Sequence, residues 1–364
     1  MELDIKYLNA INILTSGKLG VLQLIHDKFD GDFKRAWNSD LSKYIPRERN
    51  EEGKLVAVDY KKLQKSIDPE KEFKKLEKEK IDIITILDNS YPELLRHISD
   101  PPFLLYVRGS KDVWSNNCFG VVGTRALTEY GKRSASKISF DLARAGFTIV
   151  SGLAAGIDTL AHKAALEAGA KTIAVLGCGI DDRTIFPVQN LGLAHKIIEE
   201  GGTVMSEYPI GMHGSGITFP QRNRIVSGLS RGVLVIEADI QSGAMITARL
   251  ANEQGRDVFS IPGSIFAKMC EGTNLLLKKG AKPVTCAEDI LEGYEMYLDK
   301  KEIEIKADNE LEEKILSVLN SDAMTTDAII RKTGLNSSEV NATLAMMEIK
   351  KKIKNLNGKF ILNK

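Results

Sequence analysis

The sequence predicts an α/β protein: a Rossmann-like, doubly wound parallel sheet with an N-terminal helical domain and a C-terminal winged-helix domain. Three observations carry that expectation. Short apolar runs alternate with helix-length patterns over residues 117–294. The runs are continuous rather than alternately apolar and polar, as strands buried on both faces require. Residues 309–364 then give three short helical patterns and an Asn357-Gly358 turn between two apolar stretches, the order of a winged helix.

Composition sets the bounds. Of 364 residues, 43% are hydrophobic and 27% charged, a globular balance that supports a core without disulfides or metals. Apolar runs such as Thr172–Leu176 are strand-length, far short of a membrane span. The start, Met1-Glu2-Leu3-Asp4, has neither a basic nor an apolar export region, so a cytoplasmic protein without membrane association is expected. A net charge of +1 supplies no global attraction to nucleic acid, and such a role must rest on local patches. Cys118, Cys178, Cys270 and Cys286 are scattered, which points to reduced thiols and no metal site.

The elements follow in order. Residues 1–79 read as a helical, sterile-alpha-motif-like domain. Tyr7, Ile11, Leu14, Val21, Leu22 and Ile25 recur at near-helical spacing, and Lys61–Lys80 carries eight lysines against five acids, as a solvated connector helix would. Residues 80–116 lead in, with a strand at Ile81–Leu87 and a turn at Asp88–Pro92. The central domain, 117–294, places strands at Phe119–Val122, Thr148–Val150, Thr172–Leu176, Thr203–Ser206, Val233–Ile236 and Val258–Ile261. Its helices fall at Thr128–Ala145, Gly156–Ala168 and Ala244–Gln254. A polar linker, 295–308, precedes the winged helix, whose helices read Leu311–Leu319, Thr326–Thr333 and Ser337–Lys350.

Glycines cluster where the strands should end: Gly123-Thr124-Arg125, Ser151-Gly152, Gly177-Cys178-Gly179 and Ser242-Gly243. Such turns line the crevice at the carboxyl ends of an open sheet, and their free amides suit phosphate. Gly177–Asp182 lacks the third glycine of a dinucleotide fingerprint and no GxxxxGK[ST] occurs, so no nucleotide cofactor is expected. The densest polar element is Phe219-Pro220-Gln221-Arg222-Asn223-Arg224. Arginine forks suit phosphate, asparagine reads base edges and phenylalanine stacks bases. The same arginines could instead bridge carboxylates such as Glu207 or Glu237. Groups able to catalyse are sparse: Asp158 and His162 share a helix face, as a capping acid and a packed imidazole would, and Glu237 ends a buried strand. Residues 344–364 hold six lysines against one acid, and Lys350, Lys351, Lys352 and Lys354 are candidate DNA contacts of the winged helix.

These motifs occur together and in order: Val121–Arg125, Ser151–Asp158 with Ala161-His162, Thr172–Gly177, Phe219–Arg224, Glu237-Ala238 with Ser242-Gly243 and Thr247-Ala248, and Ile261-Pro262-Gly263. With Asp100–Gly109 ahead of them, they closely resemble the DNA-processing protein A (DprA/Smf) family over roughly residues 80–290. The resemblance implies a non-enzymatic, cytoplasmic, homodimeric protein of natural transformation. Such a protein binds incoming single-stranded DNA and loads RecA recombinase onto it, with single-strand-binding protein as a further partner. It implies a DNA site at Arg125, Phe219, Arg222, Asn223 and Arg224, with Gly123, Thr124, Gly152, Ser242 and Gly243 offering backbone or hydroxyl donors. Ala155 stands where some relatives carry a basic residue, so one phosphate contact would be missing or supplied from elsewhere.

Two other readings remain open at this point. A nucleotide-processing enzyme, similar to the lysine-decarboxylase-like phosphoribohydrolases, would need a PGGxGT loop and a following glutamate. Glu237–Arg249 has neither the double glycine nor the downstream acid. A regulator that binds a promoter through the winged helix is the third reading.

Overall fold

The computed structural model describes residues 4–46, 48–49, 55–56, 58–114, 117–296, 307–319, 324–350, 352–356 and 358–362. The chain forms two compact units, 1–298 and 299–364. The expected linker falls on 295–308, of which 297–306 lie outside the described residues.

Helices α1 (Ile5–Thr15), α2 (Val21–Lys28), α3 (Phe33–Trp37), α4 (Tyr60–Ser66) and α5 (Pro69–Lys78) form the N-terminal part. The single connector helix expected over 61–80 is two helices. Asp68 caps α5 through the amides of Glu70 and Lys71, and Pro69 opens it, a start signal that also ends α4. Nor is α5 merely solvated: it packs on α1 and buries Leu76 completely. This helical part shares its core with the sheet. Leu8, Ile11 and Ile25 lie in one apolar cluster with Tyr106 and Leu176, and the Tyr106 hydroxyl donates to Asn9 and accepts from Asn12.

Strands β1 (Glu48–Arg49) and β2 (Leu55–Val56) pair with each other. The main sheet has nine strands: β3 (Asp82–Thr85), β4 (Leu104–Gly109), β5 (Cys118–Val122), β6 (Thr148–Ser151), β7 (Thr172–Leu176), β8 (Thr203–Ser206), β9 (Gly232–Val235), β10 (Asp257–Ser260) and β11 (Lys282–Pro283). Their spatial order is 11-10-9-5-6-7-8-4-3. Strands β5 to β11 run parallel, whereas β4 joins β8 antiparallel and β3 joins β4 antiparallel. The lead-in therefore extends the sheet. Every residue of β5, β7, β8 and β9 is buried, which accounts for their unbroken apolar character. Helices α6 (Glu93–Arg96), α7 (Glu129–Arg144), α8 (Ile157–Glu167), α9 (Leu191–Glu199), α10 (Thr218–Leu229), α11 (Gly243–Glu253), α12 (Glu271–Lys278) and α13 (Glu288–Leu291) complete the unit. Because β9 returns beside β5 while β6 to β8 run the other way, the order reverses between β5 and β9. A ligand crevice is expected at that switch point.

The second unit carries α14 (Glu310–Val318), α15 (Thr326–Thr333) and α16 (Ser337–Ile349) and a three-stranded sheet whose first strand lies between α14 and α15 and whose other two follow α16. Its strands are β12 (Met324–Thr325), β13 (Ile353–Leu356) and β14 (Lys359–Leu362). Ile315, Ile329, Val340, Leu344 and Met347 form its own core. The winged-helix expectation matches this order.

Candidate nucleic-acid interface

A crevice of about 560 Å³ opens at the switch point. The loop after β5 brings Gly123, Thr124 and Arg125, the loop after β6 brings Gly152, and α10 brings Phe219, Arg222 and Asn223. Ser242 and Gly243 come from the start of α11. Nine of the ten expected central site residues meet here; Arg224 does not. Helical geometry explains the split. Positions three and four apart share a face, so Phe219 aligns with Arg222 and Asn223, while Arg224, two positions after Arg222, points away.

The tight turns are enforced by packing. A side-chain carbon on Gly123 would lie 2.5 Å from Ile157, and one on Gly156, at φ +87°, 2.3 Å from the Thr124 carbonyl. Arg125 is exposed and lies over the Phe219 ring, 5.8 Å from its centroid. It is the expected phosphate ligand in an open position.

Arg222 is different. Only 4% exposed, it donates through Nη1 to the carbonyls of Gly152 and Val175 and through Nε to Asn223 Oδ1, 3.1 Å away. It clamps the ends of β6 and β7 to α10, and burial lowers its basicity while the nearby Asp158 opposes that shift. Asn223 in turn donates to the Gly243 carbonyl at 3.3 Å, joining α10 to α11. Arg224 pairs with Glu207 at 2.6 Å, both buried, against a separate cavity of about 160 Å³ that Gly17–Gly20 and Pro101–Leu104 also line. The carboxylate-bridging reading thus holds for Arg224. Thr124 is buried too: its amide donates to the Glu237 carbonyl and its hydroxyl accepts from Ala126. The Ser242 hydroxyl caps α11 by accepting from Ala244.

The possible catalytic groups are tied into the scaffold. The Asp158 carboxylate accepts from the amides of Gly152 and Ala154, and burial pushes its carboxyl above the ordinary range while Arg222 pulls it back. His162 Nδ1 meets Thr172 Oγ1 at 2.7 Å, and burial drives its pKa down to about 3. Glu237 accepts from the amide and hydroxyl of Thr128, bracing the start of α7. Among the described residues no group of three or more His, Cys, Asp and Glu side chains could hold a metal ion, and no helix is long and apolar enough to cross a membrane.

In the second unit, Lys350 pairs with Asp308 at 2.7 Å and Glu312 at 3.2 Å, and Lys352 with both carboxylates at 2.7 and 2.5 Å. Lys354 is exposed and Lys351 lies outside the described residues. Helix α16 carries Glu339 and Glu348 and no basic residue. Two of the four candidate lysines, Lys350 and Lys352, are thus engaged in an ion-pair network within the unit. Lysine spacing alone gave no sign of this, because the acids that meet them lie some forty residues earlier.

A family model for DNA recombination-mediator protein A matches residues 82–295, and one for the DprA winged helix domain matches residues 302–359. The chain belongs to the DNA recombination-mediator protein A family. Among its relatives, protein Smf of Escherichia coli (strain K12) is 46% identical over 208 residues, which is 57% of this chain and 55% of that protein. The match therefore spans about half the length of that relative. The DNA processing protein DprA of Streptococcus pneumoniae is 44% identical over 217 residues, 60% of this chain and 76% of that one. The X-ray structure of DNA processing protein A from Streptococcus pneumoniae matches with a TM-score of 0.64 at 37% identity, covering 78% of this chain and 97% of that chain. DNA processing protein A from Helicobacter pylori, whose structure concerns its single-stranded DNA binding mode, matches with a TM-score of 0.53 at 30% identity. That match covers 59% of this chain and 95% of that chain. The α/β fold is thus that of the recombination-mediator protein A family.

Sequence reasoning missed one residue beside this site. Phe186, in the loop after β7, sets its ring 5.7 Å from that of the crevice-lining Phe219. The signal was an aromatic residue before Pro187 in a loop following a strand-terminal glycine pair.

Proposed function

We propose that this protein binds single-stranded DNA in the crevice and, as the family resemblance implies, acts as a homodimer. In that role it loads RecA recombinase onto incoming DNA during natural transformation, in contact with single-strand-binding protein and without catalysis of its own. The observation that carries the reading is the crevice's lining. An open arginine, the Phe219 ring and glycine-rich turns face it, and its two carboxylates, Asp158 and Asp239, accept from backbone amides. Arginine and aromatic rings along a groove suit a flexible strand whose bases are unstacked. Fluorescence anisotropy of a labelled single-stranded oligonucleotide, with duplex competitor at two salt concentrations, tests it. Salt-dependent binding that favours the single strand is expected. Absence of binding would overturn the reading. The nucleotide-processing enzyme is the less favoured reading, and release of free base from nucleoside monophosphates would revive it.

A further inference from the structure

The crevice shows where a strand enters but leaves open which aromatic face a base would meet. Phe219 is the obvious candidate from its place in the sequence, yet it is largely enclosed. A side-chain carbon on Gly214 would lie 2.4 Å from its ring tip and one on Gly177 2.7 Å from its edge, so both glycines pack against it. Arg125 lies over the ring and Phe186 stands beside it, tilted at 42°. Phe186, by contrast, is 51% exposed. A large apolar ring left half in solvent next to a half-buried one costs hydrophobic free energy unless something covers it.

The surroundings of Phe186 match a nucleic-acid strand. Three residues earlier on the same loop, exposed Arg183 lines a small open cleft with Lys78, Glu79 and Lys80, where Arg108 is paired with Asp182 at 2.7 Å. Three residues span at most about 10 Å, close to one or two nucleotide steps. Arg125 lies over the Phe219 ring that Phe186 stands beside. The loop thus sets an open aromatic face in a neighbourhood that carries exposed positive charge.

We infer that Phe186 is a DNA-binding residue that stacks a base of the bound single strand. Phe219 then acts as the half-buried ring that holds Phe186 in place, and the strand runs from Arg125 across Phe186 toward the Arg183 cleft. This inference rests on the single-stranded-DNA reading of the crevice.

The test uses the full chain with Phe186→Ala, Phe186→Leu, Phe186→Tyr and Phe186→Trp, and Arg125→Ala as the reference for the crevice. Affinity for a single-stranded oligonucleotide is measured for each, and thermal melting confirms that each is folded. Losing one stacked base is expected to weaken binding about tenfold in Phe186→Ala. Phe186→Leu should be weakened similarly because it fills space without a π face, and Phe186→Tyr should bind as the unaltered protein does. Tryptophan fluorescence of Phe186→Trp, compared with that of the unaltered protein, should be quenched on adding the oligonucleotide. Undiminished binding by Phe186→Ala with unquenched fluorescence, while Arg125→Ala is weakened, overturns the inference and leaves the DNA reading standing. Failure of the unaltered protein to bind overturns both.

Discussion

Two stretches of this sequence look equally suited to DNA, Phe219–Arg224 in the central unit and Lys350–Lys354 in the winged helix. In both the structure pairs cations with the protein itself, and the two regions differ in what is left open beside them. In the central unit both arginines of the stretch are spent on the protein itself, Arg222 on strand-end carbonyls and Arg224 on Glu207. What remains open there is Arg125, together with an aromatic pair and glycine-rich turns. In the winged helix Lys350 and Lys352 meet Asp308 and Glu312, and the helix that would enter a DNA groove carries no basic residue. Charge density along a chain therefore does not identify the cations that can meet a ligand. Burial and prior partners do.

The largest effect that separates the two regions should come from Arg222→Ala. Removing a buried cation that holds two strand ends leaves their carbonyls unpaired, and a loss of about 3–5 kcal/mol of stability is expected in denaturant unfolding. A variant of normal stability would show that Arg222 is not a strut. Arg125→Ala should do the reverse: single-strand affinity falls about 10- to 100-fold, the worth of a charge-assisted contact, with the melting temperature unchanged.

Acid sharpens the comparison further. His162 is held neutral in the fold, with its pKa near 3, whereas an unfolded histidine takes up a proton near pH 6.5. Below pH 6.5 the unfolded chain binds a proton that the folded chain refuses. Stability should then fall by about 1.4 kcal/mol per pH unit from this one group, down toward pH 3. In the winged helix the sign is the same but the group differs. Lys350 and Lys352 hold Asp308 at about 2, so its contribution is present above the ordinary carboxylate range and lost as the pH falls toward 2. Substituting His162→Gln and comparing pH–stability curves isolates the first effect. The smallest change belongs to Lys350→Ala with Lys352→Ala: single-strand affinity should shift by less than about twofold, since Asp308 and the buried Glu312 already hold both lysines. A large drop would return DNA contact to the winged helix.

Much of the sheet was legible because strands buried on both faces must be apolar throughout, as in β5 and β7. The crevice was legible through its glycines. Three things were not. Asp68-Pro69, which divides α4 from α5, was hidden within a run of lysines whose charge suggested one solvated helix. The divergence of Arg222 and Arg224 depends on where α10 begins, and Pro220 near its start obscured a helix in which positions 219, 222 and 223 share one face. The partners of Lys350 and Lys352 are remote in sequence, so only the fold brings Asp308 and Glu312 to them.

The central claim is that Arg125 supplies an open cation of the DNA site. The most direct measurement is the salt dependence of single-stranded oligonucleotide affinity for the unaltered protein and for Arg125→Ala. If Arg125 neutralises one phosphate, the variant binds more weakly and the slope of log K against log salt is shallower by about 0.7. Equal affinity and an equal slope would contradict the account and place the DNA contacts elsewhere on the molecule.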